Sequence, residues 1–223
     1  PYVFMEKNKI HIIDLNKTIS KLEEACRSLK QIAKSGKKIL FVATKKQAKS
    51  IVAESAKSLN MPYITERWPG GLLTNFSTIR KSIKKMNSID TMKEDGTFDT
   101  LSKREKLQIE RTREKLELNF GSIENMNRIP EAIFVVDINK EHIAVAEANK
   151  LGMRSYAMVD TNTNPKLVNF PIPANDDSTK SISKIMQIIS EAIAEGLSER
   201  SKTIEEKAKI KQEKAKEILN KDN

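Results

Sequence analysis

KILFVATKKQAKSIVAESAKSLNMPYIT, residues 38–65, decides the fold. Its first six residues, 38–43 (KILFVA), are an almost unbroken apolar run, and a strand of that kind must be covered on both faces. Thr44 follows as an N-cap. Ala48, Ile51, Val52, Ala56 and Leu59 then share one face of a helix predicted over 45–59. Residues 62–65 (PYIT) read as a short strand. The alternation continues in both directions. Upstream, 10–13 (IHII) reads as a short buried strand, and Asp14 caps a helix that runs to about Lys34 and stops at Gly36. Downstream, 132–136 (AIFVV) and 154–159 (RSYAMV) flank a helix over 139–151 that ends at Gly152. A last strand lies near 168–172, and a helix over 178–197 ends at Gly196. Continuously apolar strands alternating with helices predict an α/β domain with a doubly wound, parallel, five-stranded sheet.

The pattern breaks between residues 74 and 128. Phe76, Ile79, Ile83 and Met86 recur at three- and four-residue steps, then KEDGTFD (93–99) makes a turn at Gly96. Ser102 with Glu105 reads as a capping box for a second helix, which carries Ile109, Leu116, Phe120 and Ile123, its seam interrupted by Arg113. Such thin apolar stripes predict an antiparallel helical hairpin inserted between sheet strands. The expected organisation is an α/β domain from 1–73 and 129–197, a coiled-coil-like hairpin from 74–128 and a charged tail from 198–223. That tail alternates Lys with Glu and is read as solvated.

Forty Lys and Arg oppose 30 Asp and Glu, a net charge of +10, so an acidic partner is expected, with nucleic acid the first choice. No apolar run approaches the ~20 residues of a membrane span. Cys26 is the only cysteine, so no internal disulfide can form; it falls on the apolar stripe of the first helix and is read as a core residue. His11 and His142 have no Cys or His partner at zinc-ligand spacing. The chain opens on Pro1, so residues upstream of it are expected.

A doubly wound sheet invites a nucleotide hypothesis, but the turns after 10–13 and 39–43 contain neither G-x-G-x-x-G nor a Walker-type loop. No nucleophile–base set is evident, so no enzyme is predicted. The alternative is an α/β enzyme acting on a phosphorylated small molecule. The turn Thr44-Lys45-Lys46, between a strand end and a helix start, can hold phosphate. A second basic region surrounds the rigid loop Arg67-Trp68-Pro69-Gly70-Gly71-Leu72-Leu73-Thr74-Asn75-Phe76, in which Thr74 or Asn75 can cap the next helix. Arg80, Lys81, Lys84 and Lys85 follow it. The nucleic-acid contact candidates are therefore Thr44, Lys45, Lys46, Arg67, Arg80, Lys81, Lys84 and Lys85. Trp68 and Phe76 could stack on bases, or Trp68 could pin the loop to the sheet. Asp160, Asp176 and Asp177 are the residues a divalent cation would use, although Asp176 and Asp177 stand where carboxylates cap a helix. No other cofactor is expected.

IHIIDLNKT (10–18), ILFVATKKQA (39–48), ERWPGGLLTNF (66–76), AIFVVD (132–137), EANKLG (147–152), VDTNTNP (159–165) and IPANDDS (172–178) appear in this order. Together they closely resemble the bacterial small-subunit ribosomal protein S-two family, over about residues 1–197. The resemblance implies a flavodoxin-like domain with an inserted helical hairpin. It also implies a non-enzymatic structural role: binding small-subunit ribosomal RNA, bridging head and body, and helping to seat the mRNA-binding ribosomal protein S-one. Neighbouring ribosomal proteins are the implied partners, without membrane or homo-oligomer, on ribosomes in the cytoplasm. Four positions depart from the family pattern. Ala43 and Ala174 stand where Gly is common, Asn164 replaces a frequent Asp, and Pro69 sits where Leu is usual.

Overall fold

The protein is described here by a computed structural model covering the backbone of residues 2–219 and the side chains of residues 2–206. Its core is a five-stranded parallel sheet built from β3 (Ile39–Val42), β4 (Tyr63–Ile64), β5 (Ala132–Val136), β6 (Arg154–Val159) and β7 (Phe170–Pro173), ordered β4-β3-β5-β6-β7. The flavodoxin-like α/β expectation therefore holds. Side chains alternate across the pleat. Ile39, Phe41, Ala132, Phe134 and Val136 face α1 (Leu15–Lys34), α2 (Lys49–Ser58) and α6 (Thr179–Leu219). Leu40, Val42, Ile133 and Val135 face α5 (His142–Lys150), the 68–73 loop and the start of α3 (Phe76–Glu94). Every residue of β3 and β5 is buried, as strands covered on both faces must be.

Three elements depart from the sequence reading. IHII is β2 (Ile10–Ile13), but it is not a sheet strand and it is not buried. It pairs antiparallel with β1 (Val3–Lys7) as an outlying ribbon, both strands largely exposed. Asn8 and Lys9 take positive φ (53° and 63°), the two-residue turn such a ribbon requires. The second helix starts at Lys49 rather than 45, and Thr44 is no cap: the chain crosses the end of β3 before turning. Finally, α6 continues through Gly196 to Leu219, so its helical backbone includes most of the segment read as a tail.

Gly196 is a packing residue instead of a stop. A β-carbon there would lie 2.5 Å from the carbonyl oxygen of Lys30 and 3.1 Å from Ala33 Cβ. This close approach lets Ile182, Met186, Ile189 and Ile193 of α6 pack with Leu22, Ala25, Leu29 and Ala33 of α1. Beside the crossing, Lys30 and Lys34 reach Glu199 at 2.8 and 2.9 Å, and their hydrogen bonds lower its pKa to about 2.

The helices of the 74–128 segment are α3 and α4 (Lys103–Phe120). Gly96 (φ 79°) makes the turn between them, and Ser102 with Glu105 forms the capping box. Arg113, the apparent interruption of the seam, bonds Asp90 of α3 at 2.8 Å, and Lys93 reaches Glu110 at 3.5 Å. These two pairs run in opposite sense along the helices, which fixes them as antiparallel. Ile79 and Ile83, near the start of α3, belong to the sheet's second core, so α3 is rooted in the domain.

Gly196→Ala should destabilise the protein by about 1–2 kcal/mol, because the overpacking at Lys30 outweighs the ~1 kcal/mol helix propensity that alanine gains. Urea denaturation of the variant measures this; an unchanged or raised midpoint would show that α1 and α6 separate freely.

Candidate nucleic-acid interface

In a doubly wound sheet, ligands bind at the carboxyl ends of the strands where the order reverses. Here that point lies between β3 and β5. The residues that emerge there are Thr44 and Lys45 after β3 and Asp137 after β5, and they are joined to one another. The Thr44 backbone N–H donates to Glu141 Oε1 at 2.9 Å, and its hydroxyl donates to the same oxygen. Lys140 Nζ donates to the Thr44 carbonyl at 3.1 Å. Lys45 Nζ lies 2.6 Å from Asp176, 2.7 Å from Asp177 and 3.1 Å from Asp137. Burial alone would lower the Lys45 pKa, but hydrogen bonds to these three carboxylates outweigh it and hold the ammonium charged. Burial pushes the Asp176 carboxyl upward against the pull of Lys45, and the neighbouring Asp137 charge adds to the rise.

Thr44 and Lys45, both read as phosphate ligands, are thus committed to internal contacts; only Lys46 of that turn is fully exposed. Asp160, Asp176 and Asp177 do converge, with ligand oxygens within 4.8 Å of one another. Asp176 is 1% exposed and its Oδ2 has no partner. The positive charge in this cluster comes from Lys45. Neither Asp176 nor Asp177 stands at the cap position of α6, which is Ser178; in the loop before it, Asn175 Oδ1 accepts from the N–H groups of Asp177 and Ser178, at 2.9 and 2.8 Å.

The 67–76 loop is organised by a residue that sequence reasoning missed. Glu147 of α5 is buried, and its carboxylate accepts five hydrogen bonds. Trp68 Nε1 (3.0 Å) and Gly71 N (2.8 Å) reach one oxygen; Leu73 N (3.0 Å), Thr74 N (3.1 Å) and the Thr74 hydroxyl (3.1 Å) reach the other. Burial would raise its pKa, but these bonds together leave it below the ordinary glutamate value. Trp68 is buried and Phe76 packs on the same core, so neither ring is free to stack on a base. Thr74 is engaged by Glu147. Asn75 occupies the N-cap position of α3, where its side chain takes the hydroxyls of Ser77 and Thr78 instead of a backbone N–H. The signal for Glu147 in the sequence was slight: an acidic residue on the apolar face of a short helix between Ala144 and Ala148.

The loop launches α3, which carries the remaining basic candidates. Arg80 is half-buried and donates to the carbonyls of Glu124 and Met126, at 3.2 and 3.3 Å, tying α3 to the chain after α4. Lys81, Lys84 and Lys85 are exposed, as is Arg67 at the mouth of the loop. The eight candidates therefore divide. Thr44, Lys45 and Arg80 hold the fold. Lys46, Arg67, Lys81, Lys84 and Lys85 present charge to solvent.

Glu147→Gln should cost about 2–4 kcal/mol, since a neutral amide turns N–H groups toward a ring of donors. Emission from Trp68, the only tryptophan, should shift to the red as water reaches the loop. The sign of the pH dependence follows from the depressed pKa. The Glu147 contribution is complete above the unfolded-state value and disappears as pH falls through the folded-state value. The variant should therefore flatten the acid limb of the stability profile; an identical limb would show that Glu147 is not ionised in the folded protein. Lys45→Met should cost about 3 kcal/mol, because Asp176 is left buried without its counter-charge. An unchanged urea midpoint for this variant would mean that the ammonium is dispensable to the carboxylate cluster.

Comparison with known proteins places this geometry. The family model described as Ribosomal protein S2 matches residues 1–196. A protein of Flavobacterium johnsoniae called small ribosomal subunit protein uS2 is 64% identical over 200 residues, covering 90% of this chain and 79% of its own length. Its namesakes in Phocaeicola vulgatus and Porphyromonas gingivalis are each 64% identical over 200 residues, covering 72% and 71% of their own lengths. With a parallel sheet in flavodoxin-like order and this extent of identity, the chain belongs to the ribosomal protein S2 family.

Proposed function

We propose that this protein is a structural constituent of the small ribosomal subunit that binds ribosomal RNA through exposed cations on a rigid α/β body. The observation that carries the reading is a division of labour among its basic residues. Lys45 at the crevice and Arg80 on α3 are consumed by internal bonds, while Lys46, Arg67, Lys81, Lys84 and Lys85 face solvent. At the crevice Thr44 and Lys45 already bond to protein groups, so neither is free to take the phosphate of a nucleotide or a phosphorylated metabolite. Cations on a fixed frame neutralise phosphates and release counterions, which provides affinity without catalysis.

Bridging of head and body, and the seating of ribosomal protein S-one, follow in this reading from family membership. The rigid body and its projecting hairpin suit contacts with two separate regions of RNA. The working state is a single copy on the ribosome in the cytoplasm, with neighbouring small-subunit proteins as partners. No cofactor is assigned, since Lys45 supplies the counter-charge among Asp137, Asp176 and Asp177. Among the described residues, no helix is long and apolar enough to cross a membrane.

Sedimentation of a lysate through a sucrose gradient tests the proposal. The protein should appear in small subunits and whole ribosomes at one copy per subunit and should survive a moderate salt wash. Its depletion should lower the S-one content of the subunits. Recovery only at the top of the gradient would refute the ribosomal assignment.

A further inference from the structure

The end of the sheet opposite the crevice carries a second concavity. It has a volume of about 430 Å³ and lies where the chain enters β3 and β5. Its walls come from Gly36, Lys37 and Lys38 before β3 and from the segment that leads into β5. The protein's own bonds fix this frame. The Glu131 N–H donates to the Lys38 carbonyl at 3.0 Å, Lys37 reaches Glu131 at 2.7 Å, and Arg80 holds the Met126 carbonyl. Other groups are left uncommitted among the described residues. Arg128 is exposed and forms neither an ion pair nor a hydrogen bond there. The side chains of Asn125 and Asn127 make no hydrogen bond, and the N–H groups of Asn127, Arg128 and Ile129 donate to no protein acceptor. Lys38 reaches the Asn60 carbonyl, so it and Arg128 are two cations without a carboxylate. The apolar part of the lining is Met126, which is buried, and Ile129, which is 46% exposed.

We propose that this concavity captures the free C-terminal carboxylate of a neighbouring small-subunit protein whose last residue is aliphatic. The inference rests on the ribosomal reading above for the source of the partner, and it adds a site outside the sequence candidates. A planar guanidinium presents paired N–H donors that match the two oxygens of a carboxylate. Successive unpaired backbone N–H groups add donors of the kind that hold chain termini. Asparagine amides both donate and accept, as the last peptide group of an incoming chain requires. Met126 and Ile129 give its final side chain an apolar seat. The surplus of positive charge selects an anion, and the fixed frame means that little must be ordered on binding. A nucleic-acid strand is the poorer fit. No aromatic ring lines the concavity to stack on a base, and an apolar floor adds nothing for a phosphate chain.

The test uses the full chain. The probes are fluorescent peptides carrying the C-terminal segment of each small-subunit protein of the same organism, every one made as the free acid and as the amide. Fluorescence anisotropy measures binding. At least one free acid with an aliphatic end should bind, and its amide should bind at least about tenfold more weakly, because charge-assisted bonds are lost. Arg128→Ala should lose at least about tenfold for the acid and leave the amide unchanged, while Arg128→Lys should keep part of the preference. Equal urea midpoints for the three proteins establish that the loss is not one of folding. The proposal fails if no peptide binds, if acid and amide bind alike, or if Arg128→Ala binds the acid as the wild type does. It fails too if Arg128→Ala weakens binding of a plain RNA strand and of no peptide, since the concavity then serves nucleic acid. Under any of these results, entry of the wild type into small subunits leaves the ribosomal reading standing.

Discussion

A single buried carboxylate sets the geometry on which the exterior of this protein depends. Glu147 takes one side-chain N–H, three backbone N–H groups and one hydroxyl from a seven-residue stretch of chain. Those backbone groups belong to a loop with no sheet or helix partners, and without the carboxylate the buried Leu73 N–H would be left unpaired. With it, Pro69 and Gly71 (φ 84°) can turn the chain tightly, Leu72 and Leu73 enter the core, and α3 leaves at a defined angle. The direction of the hairpin, and hence of every cation on it, is set at this point. A charged group suits the role better than a neutral one, because both of its oxygens accept bonds and charge-assisted bonds are the stronger kind.

The second constraint is the closure of the crevice. Folds of this type usually leave open the gap between the first strand and its neighbour across the reversal, and build a phosphate site there from a glycine-rich turn. This chain has Ala43-Thr44-Lys45 at that position, and it directs the polar groups inward. Thr44 bonds to the start of α5, and Lys45 joins the ends of β3 and β5 to the loop before α6. The same residues that would suggest phosphate binding in an open crevice here act as a clasp across three loops. A rigid frame follows, which suits a protein whose task is to hold other molecules in position.

The sheet was readable in the sequence because its signal is local: apolar runs of four to six residues, each followed by a helical repeat. The hairpin was readable for the same reason, down to the Ser102–Glu105 cap. The errors arose where a local signal had a tertiary meaning. IHII has the composition of a core strand, but the Asn8-Lys9 turn pairs it with Val3–Lys7, outside the sheet. Gly196 looks like a helix stop, yet it is small because Lys30 lies against it. Thr44 looks like a cap, but Glu141, nearly a hundred residues away, takes both its donors. Glu147 could not be found, since nothing in EANKLG states that five donors from the 68–74 loop will converge on it. Charge counts located the basic regions but could not say which lysines were already paired.

The hairpin shows what these constraints leave for a partner to supply. The base of α3 is held by Ile79 and Ile83 in the core and by Arg80 on the carbonyls of Glu124 and Met126. Further out, α4 contains no buried residue, and its seam depends on a few half-buried side chains and the Arg113–Asp90 bond. Toward Gly96 the seam is carried by Met86 and Ile89 of α3, which are buried, by the Lys93–Glu110 pair and by Phe98 between Lys93 and Lys106. Helical hairpins draw most of their stability from packing, not from propensity. The Glu147 clamp keeps the root of the hairpin, and so its aim, fixed before any partner arrives.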